Sequence, residues 1–307
     1  MKTAMKDLIF LIIFIILFSV CTNVFELKGN GYGSDVISFY NIEKNSLDAI
    51  FFGSSHSYAS FSPDIIENET GLVTYNFATQ QQPIYITYHY MLEALKTQHP
   101  KYFILETKML SVDNEYTIEG VVRDALDKMK LSKNKIDAIK VSVENKKDRL
   151  SYYLNIIKYH TRYNELNKND LIIGLTQIGL KNRGYISLPS NEEIMINNES
   201  VINITEKAKI SEKNLEYLDK IVNLAEKNEI ELIFVKASCQ LTEDEQKKYN
   251  WLKEYAEEKN IDYIDYNKCL ETLNLEIGDF YDHGHLSGTG SEKISKNFSE
   301  YLNNLKN

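Results

Sequence analysis

The chain has 307 residues, 43% of them hydrophobic and 26% charged, with a formal net charge of −9. An acidic chain of this kind is a poor partner for nucleic acid or anionic lipid headgroups through bulk electrostatics. Three cysteines do not make a disulfide framework, and no Pro/Gly/Ser-rich linker divides the sequence after its first residues, so one large domain with its own core is expected.

Lys2 and Lys6 precede an apolar run from Leu8 to Phe25, broken only by Ser19, Thr22 and Asn23 among its polar positions. At about 1.5 Å per residue the run just spans a bilayer core as a helix, and the lysines place its N-terminal side in the cytoplasm. Residues 1–26 are therefore expected to be a single-pass anchor in the cell membrane, held through residues 8–25, with residues 27–307 outside. A cleaved signal peptide is disfavoured because Ser19-Val20-Cys21 lacks the small-residue pattern. Lipid attachment at Cys21 is disfavoured by Val20, where a small residue is needed. Cys239 and Cys269 follow the last two expected strands, and an extracytoplasmic location permits a bond between them if the strand ends meet.

Asp48–Phe52 is a short continuous apolar run ending at Gly53, the pattern of a strand buried on both faces. Ser62 and Pro63 mark a helix start. Leu72–Phe77 predicts a second strand, Pro83 to about Gln98 a helix, and Lys101–Glu106 a third strand. The alternation then stops for about a hundred residues, far longer than a usual connection. Helical patterns fall near Gly120–Lys130, Lys147–Asn167 and Asp170–Leu180, with a polar stretch from Asn182 to Lys207. Residues 108–210 are expected to form a helical insertion, a lid or substrate platform over the carboxyl edge of the sheet, or else packing that closes one side of it. Within it His160 and Arg162, among Tyr152, Tyr153, Tyr159 and Tyr163, are candidates for a sugar- or phosphate-binding surface. The plainer reading, half-buried helix positions satisfied by local partners, ranks first.

Alternation resumes with a helix from Ser211 to about Asn228, a strand at Ile230–Val235, a helix opened by the capping box Thr242/Glu245, a strand at Ile261–Tyr266 and a last helix from Gly288 to about Leu305. Strand and helix in turn predict an α/β fold, a three-layer α/β/α sandwich on a five-stranded parallel sheet. In such sheets ligands bind outside the carboxyl ends of the strands. Ser55 falls there, in Gly53-Ser54-Ser55-His56 after the first strand.

A serine hydroxyl needs a base within hydrogen-bond reach and a group that orients the base. Asp282 and His285, three residues apart after the last strand, can supply both. The last helix starts beside His285, turning its positive dipole end toward the same place. Asp282, His283 and His285 also offer a His-x-His chelate, but further ligands are missing nearby, so no metal site is expected. His56 is expected to tune the site or to hydrogen-bond behind it.

At these residues the sequence resembles the SGNH/GDSL hydrolase-like superfamily, and within it the membrane-anchored Gram-positive proteins related to the teichoic-acid D-alanylation esterase-like protein. Gly53-Ser54-Ser55 matches the first block, Gly-Asp-Ser, with Ser54 in place of aspartate. Asp282 to His285 matches the last block, D-x-x-H, followed by Leu286-Ser287 and Gly288-Thr289-Gly290, and Tyr159-His160-Thr161-Arg162-Tyr163 lies in the covered middle region. The resemblance implies the flavodoxin-like SGNH fold, with Ser55 as nucleophile, His285 as base and Asp282 as orienting acid. It implies an extracytoplasmic esterase or acyltransferase, without a cofactor, acting on acetyl or alanyl esters of a cell-envelope glycopolymer. The middle blocks depart from the family: Asn76–Gln82 and Leu105–Lys108 stand where an oxyanion glycine and G-x-N-D are usual. The oxyanion donors are then expected to be the Ser55 N–H with Asn76 or Gln80. The competing expectation is a catalytically degenerate anchored protein that keeps the fold and binds a glycopolymer or a membrane partner.

Overall fold

The computed structural model describes residues 2–27, 36–177 and 182–305. Five strands, β1 (Ala49–Phe52), β2 (Thr74–Asn76), β3 (Tyr102–Glu106), β4 (Glu231–Lys236) and β5 (Asp262–Asp265), form one sheet in the order β2-β1-β3-β4-β5. Every pairing is parallel, with Ala49 opposite both Thr74 and Tyr102, and Tyr102 opposite Glu231.

The alternation of side chains along a strand divides the core between two faces. Ile50 and Phe52 of β1 join Phe103 and Leu105 of β3 on one face, where the helices Ile84–Ala94, Glu212–Lys227 and Glu243–Glu258 cover them. Ala49 and Phe51 join Tyr102 and Ile104 on the other, under the helices Pro63–Thr70 and Gly288–Leu305. Both faces are thus dry, which is why β1 and β3 read as continuous apolar runs. The last helix contributes Ile294, Phe298 and Leu302, all fully buried at four-residue spacing; each such side chain contributes about 1.5–3 kcal/mol by leaving water. The architecture is the expected three-layer α/β/α sandwich.

Local signals account for the element ends. Thr242 and Glu245 form the reciprocal capping box, and Ser211 accepts from the Asn214 N–H. Pro63 opens its helix, but Ser62 makes no side-chain cap bond; its N–H donates instead to Ser295 Oγ at 2.8 Å. The helix after Pro83 stops at Ala94, short of the expected Gln98.

The region 108–210 departs most from expectation. The stretch Lys147–Asn167 is broken into the short turns Leu150–Tyr153, Ile156–Tyr159 and His160–Asn164. Lys133–Ser142 is a helix not foreseen, capped by Ser132 and packed on Ile84–Ala94. Lys168–Thr176 is helical, and residues 178–180 of the expected helix lie outside the described residues. Cys239 and Cys269 are both free thiols, the first buried: the Cys239 thiol sits 3.3 Å from Lys236 Nζ, while Cys269 Sγ faces the Asp265 carbonyl.

Lys2–Phe25 forms one helix. Its segment Ala4–Phe25 holds an 18-residue window with a mean hydropathy of 2.8 that is almost wholly exposed, and at about 1.5 Å per residue the segment is long enough to cross a bilayer.

Candidate active site

Because all five strands run the same way, their carboxyl ends line one edge. β1 delivers Gly53 there with φ +141°, and a Cβ on Gly53 would stand 2.9 Å from Glu106 Cβ and 3.0 Å from the Glu106 carbonyl oxygen. Only glycine tolerates that backbone and that approach. The turn sets Ser54 in front of the short helix Ser55–Tyr58, with its hydroxyl 3.4 Å from the His56 N–H. Ser55 is the first residue of that helix, and among the described residues its N–H has no hydrogen-bond partner.

His285 arrives from the opposite end of the chain. Phe280 and Leu286 form an isolated antiparallel bridge, and the Tyr281 N–H donates to the His285 carbonyl at 2.9 Å, closing a tight loop over residues 281–285. Gln240 N–H donates to the His283 carbonyl at 2.7 Å and ties that loop to the end of β4. Inside the loop Asp282 Oδ1 accepts the N–H groups of Gly284 and His285 at 2.7 and 2.8 Å. The same carboxylate lies 2.9 and 3.1 Å from His285 Nδ1. On the far side of the ring, His285 Nε2 is 2.8 Å from Ser55 Oγ. Ser55, His285 and Asp282 are therefore joined in one line, with Asp282 half exposed and Ser55 buried. A hydroxyl, imidazole and carboxylate in this order can pass the hydroxyl proton to Nε2 while Nδ1–H remains bonded to the carboxylate.

The two expected oxyanion side chains are placed differently. Gln80 lines the same cavity as Ser55, a space of about 340 Å³. Asn76 does not: it is fully buried, its Nδ2 donates to the Phe61 carbonyl at 2.8 Å, and its Oδ1 faces Ser57 Oγ. Its amide holds the Ser55-bearing turn from behind, so as a donor to the cavity the expectation for Asn76 is corrected.

The opposite wall comes from the start of the expected insertion, whose lining residues sequence reasoning did not single out. Lys108, Met109, Val112 and Thr117 line the cavity with Pro83; all but Pro83 belong to the stretch just after β3. Sequence reasoning also missed the buried pair beneath the floor: Glu106 and Lys236 close β3 and β4, are fully buried, and sit 3.6 Å apart. Glu106 accepts the Lys108 and Ala237 N–H groups at 3.1 and 3.4 Å. Burial raises the Glu106 carboxyl above its ordinary range, outweighing Lys236 and these donors. A charge ending an apolar strand on the ligand edge is the signal that marks both residues. His56 is buried with its ring centroid 5.0 Å from that of His285, and its Nδ1 has no partner among the described residues. Burial first, then the nearby Lys236, His285 and Lys108 charges, depresses its pKa well below the usual histidine value. His56 is thus a neutral ring beside His285.

His160 and Arg162 lie away from this cavity. His160 is exposed and its Nδ1 faces the Ile157 carbonyl, while Arg162 donates to the carbonyl of Phe25. His283 is exposed and contributes its carbonyl to the loop.

No protein-family model and no curated protein sequence matches the chain. Among solved structures it is similar to a protein assigned to the G-D-S-L lipolytic family from Desulfitobacterium hafniense, at 13% identity and a TM-score of 0.43, covering 83% of this chain and 99% of that one. It is similar to the acetyl xylan esterase AlAXEase at 11% identity and a TM-score of 0.42, over 83% and 98% of the two chains. For a protein assigned as an acylhydrolase from Bacteroides fragilis the values are 12%, 0.43, 88% and 95%. These scores assign no activity to the chain.

Proposed function

We propose that the protein is a membrane-anchored serine esterase or O-acyltransferase whose domain faces the outside of the cell and acts on acetyl or alanyl esters of a cell-envelope glycopolymer. The observation that carries the reading is the unbroken line from Ser55 Oγ through the two nitrogens of His285 to Asp282.

In this reading Ser55 Oγ attacks the ester carbonyl as its proton passes to His285 Nε2, and the carbonyl becomes a tetrahedral oxyanion. Asp282 stabilises the imidazolium, and its own position is held by the Gly284 and His285 N–H groups. The free Ser55 N–H and the Gln80 amide are the proposed oxyanion donors. The imidazolium then protonates the leaving sugar oxygen as the carbon–oxygen bond breaks, leaving an acyl-Ser55. Water gives hydrolysis and a second sugar hydroxyl gives transfer; in either case His285 removes the incoming proton. Met109, Val112 and Pro83 suit a small acyl group, while Lys108, Asn114 and Thr117 suit a polar acceptor. No cofactor is required by these steps. The stretch that begins at Lys108 serves as the lid or platform. The glycopolymer substrate is supported by the anchor helix together with a cavity of about 340 Å³ in which Gln81, Asn114, Thr117 and Asn214 stand beside Pro83, Met109 and Val112.

The test uses the full chain in detergent micelles. A fluorophosphonate probe should label wild type and not Ser55→Ala, and turnover of p-nitrophenyl acetate should disappear in Ser55→Ala and His285→Ala. Turnover of an acylated glycan without turnover of the small ester identifies a substrate-gated enzyme. No labelling and no turnover on either substrate leaves a glycopolymer-binding protein and overturns the catalytic reading.

A further inference from the structure

The end of the N-terminal helix is built into the folded domain. Arg162 Nη1 donates to the Phe25 carbonyl at 2.5 Å, placing a cation on the helix's negative end. Asn155 Nδ2 donates to Glu26 Oε2 at 3.2 Å. A Cβ on Gly174 would stand 2.8 Å from Val24 Cα and 2.9 Å from Val24 N, so Lys168–Thr176 crosses the N-terminal helix in backbone contact. The short turns Ile156–Tyr159 and His160–Asn164 pack on the same helix.

This crossing fixes a depth. From Leu8 to Val24 the helix rises about 24 Å, most of an apolar bilayer core of about 30 Å, so Gly174 sits at the outer end of the apolar span. Leu171, Ile172 and Leu175 are within one helical turn of Gly174, and they are 48%, 46% and 62% exposed. Ile157 and Tyr163, in the adjoining turns, are 43% and 73% exposed. Large apolar side chains grouped on one surface mark an interaction site, and tyrosine favours the boundary between lipid and water.

We propose that Lys168–Thr176, with Ile157 and Tyr163 beside it, is a second membrane contact that lies in the headgroup–acyl boundary of the bilayer the N-terminal helix spans. The proposal rests on the anchor reading and goes beyond it. The occupant is lipid because the patch is continuous with the helix end that emerges from lipid. The contact is made by apolar side chains: Arg162 is bonded to Phe25 and Lys158 is paired with Glu119, and Lys168 stands exposed at the start of the helix.

The test is made on the full chain with Cys21 and Cys269 replaced by Ala, reconstituted in phosphatidylcholine vesicles. Bimane is attached at Leu175→Cys, at Leu11→Cys in the anchor and at Ile277→Cys, an exposed apolar position in the loop ahead of the catalytic turn. The Leu175→Cys label should lose its emission to phospholipid brominated on the upper acyl chain and resist aqueous iodide, with the reverse for Ile277→Cys. Quenching of Leu175→Cys by iodide and not by lipid, with Leu11→Cys still lipid-quenched, overturns the second contact and leaves the anchor standing. Protection of the label from both quenchers, together with a disulfide dimer of the unlabelled Leu175→Cys protein, assigns the patch to a second copy of the chain and also overturns it. A Leu11→Cys label that lipid cannot quench removes the spanning helix, and the second contact with it.

Discussion

Ser55 Oγ and His285 Nε2 lie 2.8 Å apart although 230 residues separate them in the chain. The contact joins the turn after β1 to the loop after β5, and each side is held by its own backbone bonds. The distance is therefore a property of the whole sheet rather than of either loop.

If these residues act as one unit, their substitutions will not add. Ser55→Ala and His285→Ala should each lower kcat by about 10³–10⁶-fold, and the double variant should be no worse than the more damaged single one. Asp282→Asn, which leaves the shape and removes the charge, should cost roughly 10²–10⁴-fold. Steady-state kinetics on a chromogenic ester measure all four variants; additive losses would refute a common mechanism.

Gln80 and Asn76 should separate cleanly. Gln80→Ala should reduce kcat by roughly 10–10³-fold with little change in KM or melting temperature, as expected for a lost oxyanion donor. Asn76→Ala should instead destabilise the fold by about 1–3 kcal/mol, because the buried Phe61 carbonyl loses its donor. Thermal melts beside kinetics distinguish them, and a melting loss confined to Gln80→Ala would reverse the assignment.

Gly53→Ala brings a methyl group against Glu106 and forces a side-chain residue to φ +141°. A stability loss of about 2–4 kcal/mol is expected from strain and overpacking together, with loss of turnover as Ser55 is displaced. Chemical denaturation measures the first, and a variant of wild-type stability would remove the reason given for glycine here.

Asp127 supplies a pH test far from the cavity. Burial, and then the Glu26 charge, push its pKa up to about 7, against Arg123, the Tyr159 hydroxyl and Lys135. The folded protein thus binds a proton there that the unfolded chain releases near pH 4, so this residue's contribution to stability falls as pH rises from about 4 to 7. A raise of this size corresponds to at most about 4 kcal/mol. Asp127→Asn should flatten that part of the stability–pH curve, and an unchanged slope would contradict the assignment.

The sheet was legible because β1, β3 and β4 are apolar on both faces, and a parallel sheet between helices demands that pattern. That Ser55 and the pair Asp282 and His285 come to one edge was legible from spacing and strand order, whereas their roles were read only through the resemblance. Asn76 was misread because a strand end says nothing about which way an amide turns; the Phe61 carbonyl decides that. Lys133–Ser142 was missed because its lysines dilute the apolar pattern to Ile136, Ala138, Ile139 and Val141. The role of Arg162 was hidden because its partner is a backbone carbonyl 137 residues away.

The bond from Arg162 to Phe25, with Gly174 packed against Val24, stiffens the N-terminal helix where it meets the domain. A head on a loose tether sweeps a volume; one on a stiff post patrols a layer. On the proposed reading, turnover would then follow how densely substrate threads that layer, and dilution of substrate in the surrounding medium would matter little.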